Sequence, residues 1–243
     1  VGYIGDGAFQ DCAALPTVHM PAVTIVGNGA FRGCVALTTA DMPETEIVKT
    51  RAFEGCTALT AAHMPAVDTV GDGAFRGCVA LKTVRIDGET KLSALFGLRI
   101  VGESAFEGCT SLTAVIMPEF DSVGEAAFKG CTALTAVDLD DVETVGRSAF
   151  QGCTSLTAVH MDHVGLVPDD AFRGCTSLKT VRMDTINTVL GSAFRGCTAL
   201  TAVRMDAVHR VGVSAFQGCT ALKAVSMDAV HRVGRSAFQG CTA

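Results

Sequence analysis

LTAVRMDAVHRVGVSAFQGCTA, residues 200–221, is one unit of a pattern that recurs along the chain. The cysteines mark its period, because neighbouring cysteines lie 22 residues apart except for one gap of 31 between Cys78 and Cys109. A phenylalanine lies three residues before each of the 11 cysteines. A fixed period of roughly 20–50 residues is typical of solenoids, whose units pack against their neighbours to bury a continuous core. The chain is therefore predicted to be a solenoid.

Each unit combines a strand pattern with a turn pattern. Leu200, Val203 and Met205 have the spacing of a short, half-buried strand, which Asp or Pro then ends. The Ser-Ala-Phe-Gln-Gly-Cys stretch predicts one helical turn closed by Gly218, and Gly212 relaxes the preceding corner. The predicted fold class is α/β, mainly β, with a parallel sheet on the concave face and short helical turns or loops on the other side. Ten strands are expected to begin at Leu15, Leu37, Leu59, Leu81, Leu112, Leu134, Leu156, Leu178, Leu200 and Leu222.

The consensus LxxVxMPxVxxVGxxAFxGCT resembles the repeat of the BspA-like (Treponema pallidum-type) leucine-rich repeat family. Val26-Gly27, Ala30-Phe31 and Gly33-Cys34 match that motif, and the resemblance extends over nearly the whole chain. It implies a leucine-rich-repeat solenoid of 22-residue units. It also implies a microbial surface protein that binds host proteins, matrix proteins or other cells. The motif itself is scaffold, so the resemblance transfers no functional residue.

The domain organisation follows from the repeat. Residues 1–243 are expected to form a single leucine-rich-repeat domain of about ten coils. The sequence opens partway through a unit and stops just before the next expected leucine, so we expect a fragment of a longer protein. The resemblance implies an extracellular or cell-surface location, whereas a ladder of free thiols is equally compatible with a reducing interior.

Composition excludes several classes of protein. Hydrophobic residues make up 49% of the chain and charged residues 18%, which is not the composition of a disordered segment. No apolar run is long enough for membrane insertion. The net charge of -6 argues against a nucleic-acid binder. The charge is uneven, because residues 1–172 carry 10 basic and 22 acidic residues, whereas residues 173–243 carry 9 and 3.

The cysteines are predicted to be structural. No C-x-x-C pair is present, so no zinc site and no other cofactor is expected. Their number is odd and each occupies the same position of the repeat, which favours free thiols buried in the core over disulfides. The chain also lacks the G-x-S-x-G, H-E-x-x-H and phosphate-loop motifs, so we expect no enzyme and no catalytic residue.

The position between the last two core residues of each strand is the most variable of the repeat. A variable exposed position on a constant scaffold is where partner specificity would lie, although an ordinary solvated face would also vary. The predicted partner-binding residues at this position are His19, Asp41, His63, Arg85, Asp138, His160, Arg182 and Arg204, and the series also contains Ile116 and Ser226.

An insertion of nine residues near Gly88–Phe96 follows the strand expected at Leu81. It should project from the rim of the open face, with apolar side chains at Leu92, Leu95 and Phe96. An irregular loop on a rigid scaffold is a common binding site, so we include these three residues among the candidates. A tolerated insertion that tucks its apolar residues against the core edge explains the pattern equally well.

Three further ladders have structural interpretations. Aspartates follow the strand in consecutive units, where we expect turn capping or pairing with Arg182 and Arg204 rather than calcium. His209 and His231 occupy the same position without an evident third metal ligand. The threonines after the cysteines are expected to hydrogen-bond the backbone rather than bind ice. The aspartates are Asp140, Asp162, Asp184, Asp206 and Asp228, and the threonines are Thr132, Thr154, Thr176, Thr198 and Thr220.

These observations favour a non-catalytic protein-interaction scaffold that binds its partner through the concave face. The expected partner is a protein, either a surface receptor, a matrix protein or an assembly neighbour, and a glycan is a further option. The alternative is a structural subunit of a larger assembly such as a filament, an appendage or a multisubunit complex. The charge gradient favours that alternative, because an acidic end could stack on a basic one.

Overall fold

The chain forms a parallel β-solenoid of about ten coils, which confirms the predicted leucine-rich-repeat fold. The computed structural model describes residues 2–85, 99–116, 120–139, 141–161 and 163–243. Each coil contributes two short strands that lie in two different parallel sheets. The described residues contain no helix, so the predicted helical turns are wrong.

The odd-numbered strands form what we call the second sheet, which the sequence analysis did not predict. Its hydrogen-bonded order is β1 to β13, followed by a separate group from β15 to β21. The strands are β1 (Gly2–Ile4), β3 (Val23–Val26), β5 (Ile47–Val48), β7 (Thr69–Val70), β9 (Ile100–Val101), β11 (Ser122–Val123), β13 (Thr144–Val145), β15 (Leu166–Val167), β17 (Thr188–Val189), β19 (Arg210–Val211) and β21 (Arg232–Val233).

The even-numbered strands form the first sheet, which is the predicted one. They begin two residues after each expected leucine, because the leucine side chain turns into the core before the ladder starts. The strands are β2 (Thr17–His19), β4 (Thr39–Asp41), β6 (Ala61–His63), β8 (Thr83–Arg85), β10 (Ala114–Ile116), β12 (Ala136–Asp138), β14 (Ala158–His160), β16 (Thr180–Val181), β18 (Ala202–Arg204) and β20 (Ala224–Ser226).

The register between coils equals the sequence period. Val137 lies beside Val159 in the first sheet, and Val189 lies beside Val211 in the second, both 22 residues apart. Across the insertion, Val84 pairs with Val115, so the register absorbs the longer gap without shifting a column. Equivalent residues of neighbouring coils therefore lie side by side, about 4.8 Å apart.

The segment expected to be helical is a series of tight turns, because its amides bond in two directions. The amide of Phe216 donates to Ala237 O of the next coil at 2.7 Å, whereas that of Cys219 donates to Phe216 O within the coil at 3.1 Å. An α-helix would need every amide to bond within the segment. Gly218 has a φ of +75°, a conformation that side chains disfavour.

The core is built from columns of identical residues. Phenylalanine rings stack from Phe9 to Phe238, with centroids 5.0–5.4 Å apart and interplanar angles of at most 9°. Each cysteine from Cys34 onward donates its thiol to a phenylalanine carbonyl of the preceding coil, as Cys153 does to Phe128 O at 3.2 Å. The thiols thus bond carbonyl groups that the turns leave available.

All 11 cysteines are free thiols, as predicted. The expectation that all are buried is wrong for Cys12, which is exposed, and for Cys241, which is half-buried, because each has a neighbouring coil on one side only. Burial raises the pKa of Cys56 and Cys109 to about 12. The thiolate is the reactive form of cysteine, so these buried thiols are chemically inert near neutral pH.

A small apolar cavity interrupts the packing between the third and fourth coils. Its lining includes Val48, Ala62, Met64, Phe75 and Val84. The cavity arises where an alanine stands in the column that valine fills in most coils, as at Val84. Missing side-chain volume of this kind weakens a core, because the lining atoms lose contact partners.

Filling the cavity should stabilise the protein. We expect Ala62→Val to raise the free energy of unfolding by about 0.5–1.5 kcal/mol, measured by urea denaturation. The matched control is Ala40→Val, which adds the same two methyl groups in the neighbouring coil. Ala40 is 1% exposed and does not line the cavity, so overpacking should keep that variant from gaining stability. A destabilised Ala62→Val would show that the cavity cannot accept a side chain.

Candidate functional site

The predicted variable residues form one row on the outer face of the first sheet, which we call the variable row. Strand residues alternate between the core and solvent, so Val18 is buried and His19 is exposed in β2. The register places His19 beside Asp41, Asp41 beside His63, and His63 beside Arg85. Asp138 likewise lies beside His160, and Arg204 beside Ser226. The fold thus brings together residues that are far apart in sequence.

A carboxylate joins two histidines at the N-terminal end of the variable row. Nδ1 of His19 lies 2.7 Å from Asp41 Oδ2, and Nδ1 of His63 lies 2.8 Å from Asp41 Oδ1. Each ring donates an N–H to a different oxygen, which leaves both Nε2 atoms directed away from the carboxylate. Hydrogen bonds from His63 and from His19 lower the pKa of Asp41, because they favour its charged form.

Arginines at the C-terminal end of the variable row pair with aspartates two residues later. Arg182 Nη2 lies 3.0 Å from Asp184 Oδ2, and Arg204 Nη2 lies 2.7 Å from Asp206 Oδ2. Ser226 Oγ also donates to Asp206 Oδ1 at 2.6 Å, which links adjacent coils. These contacts lower the pKa of Asp206, with the Ser226 hydrogen bond as the largest cause.

Ion pairing, rather than the favoured turn capping, explains these aspartates of the ladder. Asp140 and Asp162 lie outside the described residues, and Asp228 is exposed. Within the described parts of the chain, no group of three His, Cys, Asp or Glu side chains has the arrangement of a metal site. The structure therefore adds no support for calcium at this ladder.

Some predicted site residues have no described side chain. Leu92, Leu95 and Phe96 of the insertion lie outside the described residues, so their contribution to the face stays a prediction. The backbone of Arg85 is placed in β8, but its side chain is not described. The threonine prediction is confirmed, because Thr154 Oγ1 donates to Thr132 O at 3.3 Å and its equivalents repeat that bond.

Sequence reasoning missed a buried ion pair beside the insertion. Arg99 is 5% exposed, and its Nε lies 3.4 Å from Asp68 Oδ1 in the preceding coil. Its backbone N–H donates to Asp121 Oδ2 in the following coil at 2.6 Å. A charge buried to this extent needs partners. The only sequence signal was a basic residue at a position where Glu46, Asp68, Asp121 and Glu143 are acidic.

Charges also alternate along the turns that follow the phenylalanines. Arg32 Nε lies 3.3 Å from Glu54 Oε2, and Arg76 Nε lies 3.4 Å from Glu107 Oε2. Lys129 Nζ reaches the other oxygen of Glu107 at 3.2 Å. Opposite charges in successive coils satisfy one another, so this surface offers little unpaired charge to a ligand.

The repeat motif itself decides the family. The model of the BspA type leucine rich repeat region matches residues 1–94, 90–182 and 161–243, which together span the chain. The chain belongs to the BspA-type leucine-rich repeat family. This BspA-type chain has no significant match among curated proteins.

Solved structures are similar to this BspA-type chain in fold. A leucine-rich repeat protein from Eubacterium ventriosum has 20% identity and a TM-score of 0.55, covering 100% of this chain and 81% of that one. A leucine rich cell surface protein from Faecalibacterium prausnitzii has 23% identity and a TM-score of 0.50, covering 93% and 83%. These likenesses establish the solenoid fold. Among the described residues, no helix has the length and apolar character needed to cross a bilayer.

The two histidines should control the ionisation of Asp41. We expect Asp41 to titrate below the ordinary aspartate range, and the double substitution His19→Ala/His63→Ala to raise its pKa toward about 3.9. Because the folded pKa is lowered, any stability that this pairing adds is present at neutral pH and is lost as the pH falls through that pKa. Carboxyl chemical shifts followed by NMR during a pH titration measure the change. His160→Ala, in the same row but farther along, should leave Asp41 unaltered, and an unchanged pKa in the double variant would refute the pairing.

Proposed function

We propose that this protein is a non-catalytic scaffold that binds a protein partner through the variable row. Its family and solenoid fold are generally those of non-enzymatic scaffolds. The observation that carries the proposal is the contrast within the first sheet. Core positions repeat with few exceptions, whereas the exposed position between them changes charge and shape from coil to coil. Such variation on a fixed backbone distinguishes one partner from another.

The contacts within the variable row favour binding. The Asp41 carboxylate restrains two histidines, and the Asp184 and Asp206 carboxylates restrain two arginines. Side chains that are already ordered lose less conformational entropy when a partner docks. Strands on a continuous parallel sheet also hold their side chains more firmly than a free loop does.

The charge of the variable row gives the partner a direction. A carboxylate between two imidazoles lies at one end, and two arginines with their aspartates lie at the other. The arginine side chains are 57% and 78% exposed, so their remaining N–H groups stay available to a partner. A protein surface with acidic side chains over the last coils would complement this pattern.

Display at the cell surface is part of the proposal. The family resemblance supports it, and one protein of similar fold is named a cell surface protein. We include a protein of the extracellular matrix or a surface receptor as the partner, with a glycan as the less favoured ligand. Adhesion would follow from such binding when the partner belongs to another cell or its matrix.

The arginines of the variable row should contribute to partner affinity. A panel of purified matrix and receptor proteins is screened by surface plasmon resonance, and the binder is then tested against Arg182→Ser/Arg204→Ser. We expect roughly a tenfold rise in Kd with an unchanged thermal midpoint, because exposed side chains are altered on one face. Arg173→Ser/Arg195→Ser changes the same net charge on exposed positions of the turn surface and should bind normally. Equal binding by the wild type and the first variant would reject this face.

Assembly with other copies is the second candidate function. The supporting observation is the charge distribution, with a net charge of -12 over residues 1–172 and +6 over residues 173–243. The solenoid converts this difference in sequence into a difference between its two ends, since coils follow one another along the axis.

Self-assembly through these ends should depend on salt. Sedimentation of the wild-type chain is expected to show oligomers at about 20 mM NaCl that dissociate at about 500 mM, where screening is strong. Reversing one end with Lys223→Glu/Arg235→Glu should abolish the oligomers. A strict monomer at both salt concentrations would exclude head-to-tail assembly of this chain.

A further inference from the structure

The last two coils carry an unpaired cationic cluster on the second sheet, away from the variable row. Arg210 and Arg232 are register partners in β19 and β21, so their side chains leave the sheet about 4.8 Å apart. His209 and His231 flank them, with ring centroids 5.2 Å apart. All four residues are exposed. We call these four residues the basic cluster.

The basic cluster lacks the carboxylate partners that other cations of this protein possess. Among the described residues, neither Arg210 nor Arg232 has an ion pair, whereas Arg32, Arg76 and Arg99 each contact an acid in an adjacent coil. The nearest aspartate along the chain, Asp206, is bound by Arg204 and Ser226. Like charges side by side in a sheet repel one another. A row of cations kept without counter-charge suits an anionic ligand.

The surroundings of the basic cluster limit the size of that ligand. The preceding coils are neutral at these positions, with Asn187 and Thr188 and then Gly165 and Leu166. Glu143 is the next acid in the His209 column, three coils away, or about 14 Å. An anionic bilayer spread over this sheet would meet that acidic region. A narrow ligand confined to the last coils would not.

The chemistry of the basic cluster favours sulfate groups over nucleotides. Guanidinium groups bind oxyanions through two parallel N–H groups. Proteins that bind single-stranded nucleic acids also stack bases on exposed aromatic side chains. Tyr3 is the described aromatic residue exposed on this sheet, and it lies in the first coil, at the other end of the solenoid. The flat, open sheet matches a linear chain rather than a small ion held in a pocket.

We infer that the basic cluster of Arg210, Arg232, His209 and His231 binds a linear sulfated polysaccharide. The two arginines contact sulfate groups that recur along the polymer, and the two imidazoles contribute further N–H donors. This site is independent of the variable row, because it lies on the other sheet. A protein ligand and a sulfated glycan can therefore occupy the two faces at the same time.

Calorimetric titration with size-defined heparin tests the inference on the full chain at about 50 mM NaCl. The wild type should bind heparin and lose affinity at about 500 mM NaCl, because the contacts are electrostatic. Arg210→Ser/Arg232→Ser should raise Kd roughly tenfold or more, since two charge-assisted contacts are lost. Arg210→Lys/Arg232→Lys should fall between the two. Arg182→Ser/Arg204→Ser removes the same charge from the first sheet and should stay within about twofold of the wild type.

Two further ligands decide the class of polymer. Chemically desulfated heparin should bind at least tenfold more weakly than heparin, and an oligothymidylate of similar length should also bind more weakly. Equal urea midpoints of the variants establish that folding is unchanged. Four results would overturn the inference: no binding of heparin by the wild type, equal affinity for the desulfated polymer, tighter binding of the oligonucleotide, or equal losses in the two serine variants.

Discussion

The contact between one coil and the next is the constraint on which the whole molecule depends. A coil of 22 residues has no core of its own, since its phenylalanine, leucine and cysteine face positions that a neighbouring coil must cover. The amides of the turn bind the next coil at 2.7–2.8 Å, and the aromatic rings stack in the same direction. A slip of one residue between coils would break the ring stack and the thiol bonds together. Every column on the surface inherits its alignment from this register.

The sequence period predicted more of the fold than strand or helix patterns did. Eleven cysteines at a fixed spacing gave the number of coils, the core columns and the position of the first sheet. The second sheet was missed because strands such as Thr69–Val70 contain two residues, too few to display an alternation. The helical turn was wrongly predicted because the Ala-Phe-x-Gly-Cys pattern satisfies a helical spacing. Its amides are shared with the adjacent coil, which a single unit cannot reveal.

The candidate site was predictable as a set of positions but not as a set of contacts. Repeat alignment placed His19, Asp41 and His63 in one column, and the structure confirms that they are neighbours. That one carboxylate bridges both rings depends on side-chain rotamers, which a pattern does not contain. The pairing of Arg204 with Asp206 was foreseen as an alternative. The basic cluster was not foreseen as a surface, because its sheet was not predicted.

The near identity of the last two coils has an evolutionary consequence. Residues 200–221 and 222–243 share the segment MDAVHRVG, and the register places the second copy of this segment directly beside the first. Duplicating one unit of DNA therefore lengthens a ligand-contacting strip by one step without requiring a new fold or a new turn. A point mutation in such an array changes one contact, whereas a change in copy number alters how many contacts a polymer makes at once. Since linked contacts act together, valency rather than the strength of any single contact becomes the quantity that selection can adjust.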